Sequence, residues 1–234
     1  MQWAKAFRDV SEWAALYDTI CHTRVASDTL VLRDGLLRTN LLADGLVHRM
    51  RDLMRAAIER HWQEDRRRVF LAGLAKHSGV LDRYRLAMAL DGTLPPGAPR
   101  YVRIPAALQR RSYLRPEWAN GKDDSRFVLG EMFFARFGSR AGDPVWIVDI
   151  FQPQVGSAAE VFGFLLADAK DGFPVPLYPR SLQLAHEKAQ LVGFDLALLE
   201  DAVLDAIRSL LPSDKPHLLD EIRLAPDFAA GRYA

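Results

Sequence analysis

The chain has 234 residues, 49% hydrophobic and 26% charged, which allows a sizeable buried core and excludes a disordered or fibrous class. Lys and Arg (31) nearly cancel Asp and Glu (30), so no global positive field marks a polyanion partner, and any nucleic-acid contact must rest on local charge. The single cysteine, Cys21, excludes a disulfide framework and a thiolate zinc site, and it suits a reducing, cytoplasmic setting.

Met1 to His22 carries Lys5, Arg8, Asp9, Glu12 and Asp18 among its apolar residues, which is the wrong pattern for a secretory signal. No apolar run approaches the roughly 20 residues that span a bilayer, so no membrane association is expected. Within this first segment Trp3, Phe7, Val10, Ala14, Tyr17 and Cys21 recur at helical spacing, flanked by a second row, Trp13, Leu16 and Ile20. A helix apolar over so much of its circumference is expected to be buried on more than one side.

Thr29 to Asp34 reads as a strand with Leu30, Leu32 and Asp34 on one face. Residues 45 to 65 return to helical spacing. Arg68 to Ala75 reads as a strand apolar on both faces, hence part of a sheet covered on both sides, and Leu81 to Leu90 as a helix. Asp91 to Lys122, rich in Pro and Gly, is expected to be a long irregular excursion. Strands follow at Phe127–Phe137 and Val145–Phe151. Ser157 and Glu160 have the spacing of a capping box opening a helix to about Ala169. Pro174, Pro176 and Pro179 then hold the chain extended ahead of helices at Ser181–Val192 and Asp195–Leu211. Strands alternating with helices, without repeats, point to one α/β domain over 1–234.

Several residues suit chemistry. Asp34 ends a strand where open α/β sheets bind ligands, and it holds either a cation or an Asp-Gly turn. Asp149, inside Val145–Phe151, needs either a metal or a structural arginine to offset its burial. Glu131 invites the same argument with less force. His186 falls on the apolar face of its helix, as a ligand or as a hydrogen-bonded core residue. Tyr178 precedes Pro179 near the amino end of that helix, a position that attracts anions. Lys76, after the strand Arg68–Ala75, either meets a phosphate or is a solvated loop residue. Arg66–Arg67–Arg68 and Arg110–Arg111–Arg115 are local basic runs, serving as a phosphate track or as solvated surface.

Three stretches resemble the NurA family of DNA repair nucleases: Val31–Leu32–Arg33–Asp34–Gly35–Leu36–Leu37–Arg38, Ala72–Gly73–Leu74–Ala75–Lys76–His77–Ser78, and the segment from Gly172 through Tyr178–Pro179 to His186–Glu187. The last is the most specific, because the proline-rich approach, the tyrosine and the Ala-His pair occur together. The resemblance implies a ribonuclease H-like mixed sheet flanked by helices and Mn2+- or Mg2+-dependent cleavage of DNA. It also implies a homodimer and partnership with HerA, a hexameric DNA-translocating ATPase, in end resection during double-strand break repair.

Carried over by motif, Asp34 and His186 would be metal ligands and Tyr178 would lie in the site. Glu12 matches the family's helical glutamate, and Lys76 and Arg33 would meet phosphate. Bound divalent ions would supply an activated water and charge relief at the leaving oxygen; carboxylates suit such hard cations, and imidazole suits manganese better than magnesium. The family pattern also contains an Asp-Gly-Ser strand ahead of the helical glutamate, whereas this sequence begins within that helix. The expectation is then that Asp34 does double service, that Asp149 completes the ligand set, or that the chain is a subunit that binds DNA or the ATPase ring without cutting.

Overall fold

The computed structural model describes residues 2–23, 26–38, 44–76, 78–113, 128–189 and 193–210. Two compact units divide the chain, Met1–Ala185 and His186–Ala234. The first contains a five-stranded sheet in the order β1-β2-β5-β4-β3, formed by β1 (Asp28–Asp34), β2 (Arg68–Ala75), β3 (Arg100–Arg103), β4 (Gly130–Arg136) and β5 (Val145–Phe151). β1 and β2 run parallel, and the other neighbours are antiparallel. A parallel pair needs a crossover longer than a hairpin, and α2 (Asp44–Asp65) lies between β1 and β2 in sequence.

Alternation along β2 and β5 explains why both faces are covered. Phe70, Ala72 and Leu74 share a core with Trp146, Val148 and Ile150 and with Val161, Phe162 and Leu165 of α5 (Ala158–Lys170). The opposite face divides between two groups of helices. Leu71 and Phe151 pack with Trp13, Leu16 and Ile20 of α1 (Gln2–His22) and with Met54 and Ala57 of α2. Ile147, Met132 and Phe134 pack with Val80 and Leu81 of α3 (Gly79–Asp91), with Leu108 of α4 (Ala106–Tyr113) alongside. Each fully buried aliphatic or aromatic side chain contributes on the order of 1.5–3 kcal/mol, so these three clusters are the main stabilising term. A mixed sheet with helices on both sides is therefore present. Among the described residues, no helix is long and apolar enough to cross a membrane.

β2 extends past the end of β5, and a side chain substitutes for the missing strand. The Gln154 carboxamide donates to Val69 O (2.6 Å) and accepts from Leu71 N–H (2.9 Å), reproducing a ladder step. His61 of α2 joins the helices on that face through a 2.6 Å bond between Nε2 and Ile20 O.

Three local expectations change. In α1 the row Trp13, Leu16 and Ile20 is buried, while Phe7 is 76% exposed; the helix packs through one side. The Pro/Gly-rich excursion contains β3 and α4, because Pro99 and Pro105 flank these elements instead of interrupting them. β3 stands at the sheet edge, paired with β4 alone, and residues 114–122 of that excursion lie outside the described residues. Ser157 makes no capping bond. The chain enters α5 through a 3-10 helix over Gln152–Ser157, leaving Ser157 at φ −97, ψ 20 instead of the extended geometry a cap uses. Glu160 pairs instead with Arg68 at 2.6 Å. Ser78 is the serine that caps a helix, its Oγ accepting from Val80 N–H of α3 at 3.3 Å.

α6 (Arg180–Ala189) follows α5, and the boundary between the two units falls after Ala185. α7 (Gly193–Leu210) belongs to the second unit.

Candidate functional site

The carboxyl ends of β1 and β2 lie side by side, and three of the expected residues gather there. Asp34 is the last residue of β1 and is exposed. The chain leaves it through Gly35 at φ 117, a conformation that favours glycine, while Gly35 N–H donates to Leu74 O of β2 at 2.8 Å. The departing backbone crosses directly over Gly73, where a Cβ would collide with the Gly35 carbonyl. Glycine on β2 thus lets the end of β1 fold down against its neighbour.

Tyr178 comes from the proline-rich segment between α5 and α6. It is fully buried, and its hydroxyl donates to Asp34 Oδ1 at 3.3 Å across 144 residues of sequence. That distance exceeds the usual O–H···O range, so Asp34 keeps most of its capacity to accept other partners. Burial, and then the neighbouring Asp34 charge, push the phenol well above its ordinary pKa. Tyr178 therefore keeps its proton at neutral pH and serves as a hydrogen-bond donor. Lys76, directly after β2, sets its ammonium 4.8 Å from the centre of the same ring.

Two residues that sequence reasoning missed hold Tyr178 in place. Trp146 of β5 meets the Tyr178 ring edge-on (4.9 Å between centroids, 65°), and its indole N–H donates to Leu177 O at 2.6 Å. Gln183 of α6 donates to Tyr178 O (2.9 Å) and Val175 O (3.0 Å) and accepts from Val175 N–H (2.8 Å). Asp168 of α5 anchors the start of α6 by accepting from Ser181 N–H and Oγ–H. The N–H of a buried tryptophan usually finds a partner, and that tendency was the one sequence signal pointing to Trp146.

The remaining expected residues are placed differently. Arg33 points to the face of β1 opposite Asp34. It donates to Asp9 (3.0 Å), Glu12 (2.8 Å) and the Leu36 carbonyl, with its guanidinium 4.7 Å from the centre of the Trp13 ring. Arg33 is thus turned into the α1 side instead of toward a phosphate, and Glu12 is paired with it instead of standing beside Asp34. Asp149, fully buried, has the structural arginine: Arg38 Nε and Nη2 donate to its two oxygens at 2.8 and 2.9 Å. Arg38 also bonds Gly130 O and Gln109 Oε1. Glu131 pairs with Arg103 at 3.2 Å.

In the run Arg66–Arg67–Arg68, Arg66 stacks 5.5 Å from the Trp62 ring centre and Arg67 donates to the Ala26 and Thr23 carbonyls. Arg68 pairs with Asp28 and Glu160. His186 is exposed and opens the second unit. His77 and Arg115 lie outside the described residues. Among the described residues, no cluster of three or more His, Cys, Asp or Glu has the spacing of a metal site.

The site in the first unit is thus one accessible carboxylate, one buried phenol donor and one ammonium, on a rigid strand end. Such a group can orient a cation at Asp34 or an anionic ester beside Lys76. Compared with family models, curated proteins and solved structures, the chain matches none of them.

Proposed function

We propose that this chain is a NurA-type DNA-processing protein with a ribonuclease H-like core, acting on DNA ends with a HerA-type hexameric ATPase in double-strand break repair. One observation carries the reading: Asp34, Lys76 and Tyr178, one from each motif stretch, converge at the ends of β1 and β2. A mixed sheet with helices on both faces is compatible with such a core.

Cleavage in this family depends on Mn2+ or Mg2+, so the donors around Asp34 matter. Among the described residues of the first unit they amount to a single carboxylate. Glu12 is bonded to Arg33 on the other face of β1, and Asp149 is enclosed by Arg38. These residues do not by themselves form a divalent-ion site. That observation favours a second reading within the same proposal, a subunit that binds DNA or the ATPase ring without cutting it.

The test incubates the full chain and its Asp34→Ala variant with linear duplex and single-stranded DNA, with Mn2+, Mg2+ or EDTA. Metal-dependent degradation lost in the variant supports the cutting reading. No degradation, together with retained binding of DNA or of a HerA-type ring, supports the second. Equal degradation by both proteins overturns the site.

A further inference from the structure

The run Arg66–Arg67–Arg68 is committed to contacts inside the fold, whereas two arginines distant in sequence meet without partners. Arg100 opens β3 and Arg136 closes β4, and the antiparallel register sets them directly opposite each other. Residues so placed rise from the same face with Cβ atoms about 4.5–5.5 Å apart, and like charges there repel. Glu131 is the only acid in these two strands, and it pairs with Arg103 at their other end (3.2 Å). The turn after β4 adds Arg140 and Asp143, one charge of each sign. Among the described residues no carboxylate forms an ion pair with Arg100 or Arg136, so their two positive charges stand unopposed.

Arg136 is not a freely solvated side chain. It is half-buried, its Nε is enclosed without a partner, and its Nη1 reaches only Arg140 O at 3.5 Å, the limit of a hydrogen bond. A half-buried guanidinium without a counter-ion, set against a second one, costs free energy that an oxyanion held between them recovers. The forked donors of arginine match phosphate oxygens. Beside the pair lies a groove of about 210 Å³, bordered by both arginines and by Tyr101, Phe137, Phe162 and Leu166. Tyr101 stacks on Phe162 (4.0 Å, 15°) and is still 42% exposed, so it presents a flat aromatic surface there. The groove is smaller than the roughly 300–1,000 Å³ of sites for drug-sized ligands, which limits it to one base ring.

We propose that Arg100 and Arg136 hold the phosphate of a nucleotide whose base lies in this groove against Tyr101. The site is separate from Asp34, because β3 and β1 are the opposite edges of the sheet, four strand spacings or about 19 Å apart. Both nevertheless lie at the same end of the sheet: Ala75 pairs with Ile147, and Ile147 with Phe134, two residues before Arg136. The nucleotide is either free or one unit of a strand lying across that end, and phosphate and base are common to both. Neither source requires that the chain cut DNA.

The test uses the full chain with inorganic phosphate, dTMP and a fluorescein-labelled thymidine dodecamer as probes. Arg100→Gln and Tyr101→Ala remove exposed groups and Arg136→Gln the half-buried one; circular dichroism melts verify that each variant folds. Arg55→Gln, which removes a surface arginine paired with Asp52 and Glu59, controls for net charge. Calorimetry should show dTMP bound equally by the parent and Arg55→Gln, and weakened roughly tenfold or more by Arg100→Gln or Arg136→Gln, about the loss of one charge-assisted bond. Tyr101→Ala should weaken dTMP and leave inorganic phosphate unchanged. Added dTMP should raise the melting temperature of the parent but not of Arg100→Gln. Anisotropy of the dodecamer across a KCl series identifies the source. A log–log slope shallower by about 0.7 in Arg100→Gln assigns the phosphate to a strand, and an unchanged slope with dTMP still bound assigns it to a free nucleotide. Absence of dTMP binding together with an unchanged slope would overturn the proposal. So would equal weakening in Arg55→Gln, or dTMP bound no more tightly than inorganic phosphate.

Discussion

Replacing Arg38 by methionine tests the balance of charge inside the sheet. Asp149 is fully buried, the Arg38 side chain is 7% exposed, and two charge-assisted bonds of 2.8 and 2.9 Å join them. A Cβ at position 130 would collide with the Asp149 carboxylate, so a glycine on β4 makes room for the acid. With Arg38 gone, Asp149 is a buried charge without its counter-ion, a loss of about 3–5 kcal/mol. Against a total stability of roughly 5–15 kcal/mol this is a large fraction. For a unit of this size it lowers the melting temperature by about 6–20 °C.

Arg38→Met with Asp149→Leu removes both charges and should recover most of the loss. Urea melts of the three proteins at neutral pH are the assay. A single variant within about 1 kcal/mol of the parent, or a double variant no better than the single, would refute the reasoning.

Tyr178 supplies a pH signature in the alkaline range. Its phenol is raised in the folded chain above the ordinary value of 10.0 by burial and by Asp34, so above about pH 10 the unfolded state ionises first and stability declines. Tyr178→Phe should remove that component, giving a flatter stability profile from pH 10 upward in urea melts; an unchanged slope would refute it. Gly73→Ala places a methyl against the Gly35 carbonyl and the Leu37 amide, which should cost about 1–3 kcal/mol as overpacking. A denaturation midpoint equal to the parent's would show that the end of β1 can move away freely.

Periodicity was enough to read most elements, because alternation and helical spacing are local consequences of which face must be apolar. Arg68–Ala75 and Val145–Phe151 are strands with the bounds that pattern implies. The elements that escaped, β3 and α4, sit in a Pro/Gly-rich stretch whose prolines lie between elements, a placement composition alone does not reveal. The cap expected at Ser157 failed because the chain was already turning when it arrived.

Asp34, Lys76 and Tyr178 were each singled out in the sequence by local position: the end of a strand, the residue after a strand, and the proline-rich approach to a helix. Their meeting, and the roles of Trp146 and Gln183 beneath Tyr178, depend on strand order and on contacts between distant segments. The same holds for the acids. A sequence says that Asp149 needs a partner; only the register of β4 and β5 and the path of the chain after β1 deliver Arg38, 111 residues away. It likewise offers Glu12 and Asp34 as neighbours in one site, but Arg33 and Asp34 alternate on β1, so Glu12 follows Arg33 to the opposite face. Local pattern fixes what each side chain requires, and the tertiary structure decides which distant group satisfies it, because pairing is set by register and face.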